Sequence, residues 1–589
     1  WAALTPYAGI YLSALLIGEL ADARDGARLT WLVVLSLISA VVIGVVRALL
    51  NRLKNAHSAG LYYKLRDIYT DKLLRMDYAS LDDTKTHELL STIRQNENGG
   101  GWGLYRVVNN VETLASSLFT LLGGIALTVT LFTLRVPETA GRLVILNHPL
   151  FAVGTVCCML ALTCLAPWLS VRAEEYYARH ADSHRLGNRL FGYYGWLGYK
   201  RELAADMRVY RQDLICDRHN SDKHDIFGSK GLFSHYSKGP IGLYSAASAA
   251  VSVVFSGLVY VFVCFKAWAG AFGVGAVTQY VASVTKLSGG LSSLLGTLGD
   301  MRHNAAFLCL TFDFLAIGNA ECEGHKQLPS EPEGGYEIEF RDVSFRYPGS
   351  ENYALRHVTA RLRPGERIAV VGRNGSGKTT FIKLMCRLYD PTEGSVLLCG
   401  TDIREFDRAE YLRLFSVVFQ DFALFSYPLG ENVAGCESYD RDKAATCLAR
   451  SGFGERLSRM ENGLDTRLCK DLGEDGIDLS GGEAQKIALA RALYKDAPII
   501  VLDEPTAALD PIAESEIYSH FNEIVGNKTA VYISHRLSSC RFCRDIMVFD
   551  NGELVERGGH DALLAANGQY SRLWNAQAKY YASEETKNF

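Results

Sequence analysis

Little in this sequence is out of balance. Its 589 residues set 61 Lys and Arg against 65 Asp and Glu, a formal net charge of −4. That lack of basic surplus excludes a polybasic nucleic-acid binder, and no nucleic-acid partner is expected. A hydrophobic share of 48% with 21% charged residues excludes a disordered chain. The 14 cysteines follow no repeated spacing, which excludes a disulfide scaffold in a chain this long. Cys540 and Cys543 form a C-x-x-C, but no second pair and no nearby His cluster accompany it, so the pair reads as ordinary packed thiols. An initiating Met is also lacking. The chain begins at Trp1 inside an apolar run, and a missing N-terminal stretch is expected there.

What the averages hide is an uneven distribution. Six long apolar segments precede residue 320: Trp1–Gly18, Leu32–Leu50, Leu114–Leu134, Pro149–Val171, Gly239–Phe265 and Ala267–Gly299. A helix needs ~20 residues at ~1.5 Å each to cross a hydrocarbon layer of ~30 Å, and core helices rarely reach that length without charge. The spacing predicts six membrane spans. Short and long connections alternate, and Lys and Arg crowd the long ones, with ten from Arg47 to Arg106 and twelve from Arg172 to Lys238. The long side is therefore expected to be cytoplasmic. Helix-forming stretches such as residues 61–75 and 174–186 predict that the spans run on as rigid levers, with bends at Met76–Lys85 and Lys200–Tyr210. Gly99–Gly103 reads equally as a bend in a returning helix or as a loop.

Residues 319–335, rich in Gly, Pro and polar side chains, have the chemistry of a linker. The expected division is a membrane domain over 1–318, that linker, and a soluble domain over 336–589 in which short apolar strands alternate with helices. Within it, the strand Arg367–Val371 runs into Gly372, Arg373, Asn374, Gly375, Ser376, Gly377, Lys378, Thr379 and Thr380, and then into a helix. That is G-x-x-x-x-G-K-[ST] in its required setting. Backbone N–H groups close on phosphate oxygens, Lys378 reaches the β- and γ-phosphates, and Thr379 offers a hydroxyl to Mg²⁺. A second apolar strand, Ile499–Leu502, ends in Asp503 and Glu504. A nucleotide–metal site needs carboxylates, so Asp503 is assigned to Mg²⁺ and Glu504 to the general base acting on water.

Leu479, Ser480, Gly481, Gly482 and Glu483 just before a helical run look like the signature of ATP-binding cassette (ABC) proteins. With six preceding spans, the chain resembles an exporter-type half-transporter over essentially its whole length. The resemblance implies a multi-domain fold: an all-α six-helix transmembrane domain followed by an α/β P-loop ATPase domain. It implies that Tyr347 stacks on adenine, that Gln420 senses Mg²⁺ and water, that His535 contacts the γ-phosphate and that Asp510 belongs to an interface loop. Ser480, Gly481 and Gly482 would face the ATP held by another chain, so a dimer is implied, and Gly473–Gly476 would report its closure. Retention of Glu504 and of the signature favours a homodimer. Two departures from the pattern stand out: Glu483 where Gln is commoner, and Ala508 where Ser is usual.

The function these features imply is ATP-driven transport of an amphipathic substrate, a peptide, lipid or drug-like molecule, by alternating access across the plasma membrane. ATP and Mg²⁺ are the expected cofactors; a second half-transporter chain and membrane lipid are the expected partners. An importer on the same fold, an ATP-gated channel, a regulatory membrane ATPase and a soluble cassette protein are the rivals. Tyr7, Tyr11, Tyr244, Phe255, Tyr260 and Tyr280 read either as the wall of a substrate pocket or as packing and interface anchors.

Overall fold

The computed structural model describes residues 1–21, 24–180, 192–194, 197, 200, 203–215, 218, 230–318, 324–329, 332, 335–471, 473, 475–505, 525–534 and 537–585. The chain divides into two compact units: Trp1–Arg75 with Lys85–Ile317, and Met76–Thr84 with Gly318–Phe589.

The first unit is helical. Its long elements are α1 (Thr5–Ala21), α2 (Gly26–Arg75), α4 (Thr84–Gly100), α5 (Leu104–Thr133), α6 (Pro149–Arg179), α7 (Pro240–Trp268) and α8 (Val274–Ala316). The lever expectation is visible in α2, whose 50 residues extend about 75 Å at ~1.5 Å each. Among the described residues four helices are long and apolar enough to cross a membrane: Gly26–Arg75, Leu104–Thr133, Pro149–Tyr177 and Ser234–Trp268. Two of the six expected spans fall outside that set. The first helix has only 17 residues and carries a buried Glu19. The last begins at Val274 rather than Ala267, after a turn, and its glycines, serines and Lys286 dilute its hydropathy. On α2, Leu37, Ile38, Val41, Val42 and Val45 are each more than half exposed, as a lipid-facing stripe requires.

The buried side of this unit is packed by Leu131, Phe255, Val259, Phe262, Val263 and Tyr280. Gly101–Gly103 separates α4 from α5, which settles the open reading as a break between two helices. Asn304 pins that break: its Oδ1 accepts from Gly103 N at 2.7 Å and its Nδ2 donates to Gly103 O at 3.0 Å. Of the aromatic candidates, Tyr7 donates its hydroxyl to Thr120 O, Tyr280 bonds Thr130 Oγ1 at 3.0 Å and Phe255 lies in the core. Those three are packing residues.

The second unit is two-layered. An antiparallel sheet has the order β2 (Leu355–Leu362), β1 (Ile338–Phe345), β4 (Glu393–Leu398), β5 (Thr401–Asp402). A second sheet has the order β10 (Glu553–Gly558), β9 (Asp545–Asp550), β3 (Arg367–Gly372), β8 (Thr529–Ile533), β7 (Ile499–Asp503), β6 (Phe415–Val418). β3, β6, β7, β8 and β9 run parallel, and β10 closes the edge antiparallel. All five residues of β7 and all five of β8 are buried, the continuous apolar pattern of a strand covered on both faces. Cys540 and Cys543 lie in this unit's core, and burial pushes the Cys543 thiol up to about 12, as expected for an inert packed thiol.

The short helix α3 (Tyr78–Asp82) groups with this second unit, although sequence position places it between the second and third spans. Asp77 caps it, accepting from Ser80 N at 2.7 Å. Ala79 joins the core formed by Ile338, Phe381, Met385 and Tyr389.

Candidate nucleotide site

The site is built where β3 meets α9 (Lys378–Met385). Gly377 has φ 103°, and a Cβ there would come within 2.6 Å of Leu355 Cδ2 and 2.9 Å of Ala354 O, so only glycine fits the turn. The loop is thereby folded back over the helix N-terminus, where free N–H groups and the helix dipole favour an anion. Lys378 is buried and donates to Gly372 O at 3.0 Å and Arg373 O at 2.9 Å. Burial lowers its pKa, against the opposing pull of Glu504 and Asp503. Ser376 Oγ is buried and finds no hydrogen-bond partner among the described residues, inside a loop shaped for phosphate.

β7 delivers the carboxylates. Thr379 Oγ1 donates to Asp503 Oδ2 at 3.4 Å. Burial, then the neighbouring Glu504, push the Asp503 carboxyl up to about 6, while Thr379 and Lys378 pull it down. Its Oδ1 is buried without a partner among the described residues. A desolvated carboxylate beside a threonine hydroxyl, with one oxygen unsatisfied, fits a hard divalent cation such as Mg²⁺. Glu504 holds a left-handed backbone at φ 50°, a strained conformation that turns the chain sharply at the strand tip. Its backbone is tied on both sides: N donates to Ile533 O at 3.1 Å, and Gln485 Nε2 donates to its carbonyl at 3.0 Å.

Tyr347 stands next to the loop. Its hydroxyl bonds Thr380 Oγ1 at 2.9 Å, and its ring meets Phe345 and Tyr389 edge-on at 5.0 and 5.4 Å. Lys383, on α9, lies 5.4, 5.7 and 5.9 Å from the rings of Tyr78, Tyr347 and Tyr389. Gln420 is exposed beyond β6, and among the described residues no hydrogen bond joins it to Asp503 or Thr379. Its neighbour Asp421 is near enough to raise the Asp503 pKa. His535 and Asp510 lie outside the described residues, as do Ala508 and Glu474.

The signature opens α10 (Gly481–Lys495). Ser480 is its N-cap in a reciprocal capping box: Ser480 Oγ accepts from Glu483 N at 3.3 Å, and Glu483 Oε2 accepts from Ser480 N at 2.9 Å. Arg456 Nε sits 3.0 Å from Glu483 Oε1. The backbone bond to Ser480 is the main reason the Glu483 carboxyl lies below its ordinary range. Leu479 and Gly482 are half-buried, Ser480 and Gly481 exposed. Residues not singled out by the sequence complete the frame. Arg491 Nε donates to Asn432 O at 2.8 Å and its guanidinium reaches Ala423 O at 3.1 Å, while Asn432 brackets Phe425 through both N and O. Signature helix and the loop after Gln420 are thus fastened together.

Residues 355–507 match the family model described as ABC transporter. That stretch of the second unit is similar to an ATP-binding cassette, a kind of domain that holds a nucleotide. The chain is 36% identical over 305 residues to the ATP-dependent lipid A-core flippase of Pectobacterium atrosepticum, 51% of each chain. It is 35% identical over 329 residues to the subtilin transport ATP-binding protein SpaT of Bacillus subtilis, 55% of this chain and 53% of that one. It spans about half the length of these curated relatives. A bacterial Atm1-family ABC exporter with ATP bound superposes with TM-score 0.72 at 22% identity, covering 98% of this chain and 96% of that one. The chain as a whole has the fold of an ABC exporter with membrane and nucleotide units fused, a multi-pass membrane architecture.

Proposed function

We propose that this protein is an ATP-driven exporter working as a dimer of two identical chains in the plasma membrane, with the nucleotide unit in the cytoplasm. The observation that carries the reading is the Lys378–Thr379–Asp503–Glu504 constellation in a chain that also holds membrane-length apolar helices. ATP phosphates would occupy the loop from Gly372 to Thr380, with Ser376 Oγ and the loop N–H groups donating to them. Lys378 would exchange its two loop carbonyls for phosphate oxygens. Thr379 and Asp503, with Gln420 as a further partner, would hold Mg²⁺, which would supply charge neutralisation on the phosphates. Glu504 takes the proton of the attacking water, and His535 holds the γ-phosphate. Tyr347, standing next to the loop with its hydroxyl on Thr380, would stack its ring on adenine.

Ser480, Gly481 and Gly482 form no hydrogen bond with this chain's own P-loop among the described residues. The exposure of Ser480 and Gly481 at the N-terminus of α10 supports their use, with Gly482, on the ATP of a second copy, and Asp510 would belong to an interface loop. Binding across the pair favours a closed state because the γ-phosphate meets both chains only there, and hydrolysis releases it.

Reconstituted vesicles with outward-facing nucleotide units test the reading. Lumenal accumulation of substrate that requires ATP and disappears in Glu504→Gln supports export. Accumulation in the opposite sense makes the protein an importer, and nucleotide-gated conductance without accumulation makes it a channel.

A further inference from the structure

Two open clefts of ≈440 and ≈300 Å³ lie between α5 and α8, with α6 joining the second, and they share Thr113 and Ser293. They line up because polar residues and glycines recur at helical spacing on both helices: Lys286, Gly289, Ser293, Thr297 and Asp300 on α8, and Arg106, Asn110, Thr113, Ser117 and Thr120 on α5. The helices touch closely there, with Ser117 Oγ donating to Ser293 Oγ at 2.8 Å. None of the six aromatic candidates named from the sequence lines either cleft.

The chemistry of this track is lopsided. Thr113, Thr120, Thr285 and Thr297 each spend their proton on a carbonyl of their own helix, leaving lone pairs toward the cleft. At one end Arg106 is paired to Asp300 at 2.5 Å, and Glu174 hydrogen-bonds Asp300, so the two carboxyls share a proton as well as one cation. Asn110 beside them is only 4% exposed, and its Nδ2 has no partner among the described residues. At the other end stands Lys286, with no ion pair among the described residues, near a Glu112 that is already paired to Lys54. Acceptors and a proton-sharing carboxyl pair at one end, and a cation at the other, suit an ammonium and a carboxylate better than a phosphate-rich head, and between them acyl chains would meet hydroxyls and glycines rather than an apolar wall.

The geometry points to a binding track for a short extended peptide, its ammonium seated at Glu174–Asp300, a carbonyl on Asn110 Nδ2, and its carboxylate toward Lys286. This names the substrate class for the exporter reading and rests on it. From Asp300 to Lys286 the helix advances about 21 Å at ~1.5 Å per residue, the span of about six residues at ~3.4 Å each.

The test is equilibrium binding of a hexaserine peptide with free termini to the full-length protein in phosphatidylcholine nanodiscs, without nucleotide. Saturable binding is expected, with Kd rising about tenfold in Asn110→Leu, in Glu174→Gln and on N-acetylation of the peptide. Equal affinity in both variants and for the acetylated peptide overturns the proposal, as does absence of peptide binding, or tighter competing binding by dihexanoyl phosphatidate. Folding of each variant is checked by its basal ATPase. Glu504-dependent hydrolysis in the same preparation tests the transporter reading separately, since binding is measured without it.

Discussion

The Tyr389 hydroxyl donates to the Asp82 carboxylate, joining a residue just past the P-loop helix to the end of α3, 307 positions earlier in the chain. Tyr78 closes the same contact, edge-on to Tyr389 at 5.4 Å and 87°. Burial and the Asp82 charge both raise the Tyr389 pKa, so the phenol stays a proton donor at physiological pH. Because Tyr389 also touches Tyr347 and Lys383, the chain of contacts begins at the nucleotide loop and ends at a segment continuous with α2 and α4.

Tyr389→Phe keeps the ring and removes the hydroxyl. Loss of one hydrogen bond to a charged partner should speed amide exchange across Tyr78–Asp82 about tenfold. Basal ATPase should stay within about twofold while substrate transport falls further. Hydrogen–deuterium exchange and paired ATPase and transport assays check this; unchanged exchange at those amides would refute it.

Glu504→Gln removes the base while keeping the size of the side chain, and the backbone of residue 504 is held by Ile533 and Gln485. Hydrolysis should drop about 10²- to 10⁴-fold with ATP affinity unchanged. Single-turnover kinetics alongside nucleotide binding separates the two quantities.

Arg491→Met should leave Asn432 O and Ala423 O without their donor. A cost of about 1–3 kcal/mol to the nucleotide unit is expected, read by denaturant unfolding. Looser tethering of the loop after Gln420 should also raise the Mg²⁺ concentration needed for half-maximal ATPase, which a purely structural defect would not alter.

Glu483→Ala breaks the capping box and should cost about 0.5–2 kcal/mol. Glu483→Gln keeps the cap but loses the charge facing Arg456. Since the folded-state pKa of Glu483 is lowered, its contribution is complete above the unfolded value near ~4.3 and is lost as pH falls through the folded value. The difference in Tm between wild type and Glu483→Gln should therefore shrink as pH drops below about 4, by a modest amount because the pair is partly screened. Calorimetry over pH 3–7 (approximate range) measures it.

Where chemistry is local in the chain, the sequence was readable. Gly372–Thr380 joins a strand, a turn and a helix, and Asp503–Glu504 stands at the end of its strand, so both parts of the candidate nucleotide site were visible as text. Contacts between distant segments were not. Nothing around Asp82 announces Tyr389, and Asn432 and Arg491 look like surface residues until their partners are known. The reciprocal cap of Ser480 and Glu483 was written as S-x-x-E, a signal overshadowed by the phosphate reading of the same residues. In the membrane unit, Gly, Ser and Lys286 blurred the start of α8, because hydropathy cannot tell a lipid-facing helix from one that turns hydroxyls toward a neighbour. Aromatic side chains drew attention as possible pocket walls, yet Tyr7 and Tyr280 are spent on packing and the clefts are lined by threonines and serines instead.

The grouping of Met76–Thr84 with the nucleotide unit bears on how this protein can be cut into pieces. A fragment starting at Gly318 would contain every motif of the cassette yet lack Ala79, which belongs to the apolar core around Phe381 and Tyr389. Its missing plug would leave greasy surface beside the P-loop helix, inviting self-association in solution. Supplying residues 76–84 as a separate synthetic strip, or splicing them onto the fragment, would restore the missing part. In that sense the second unit is discontinuous in sequence, and the chain passes from one unit to the other three times, the last passage leading into the cassette.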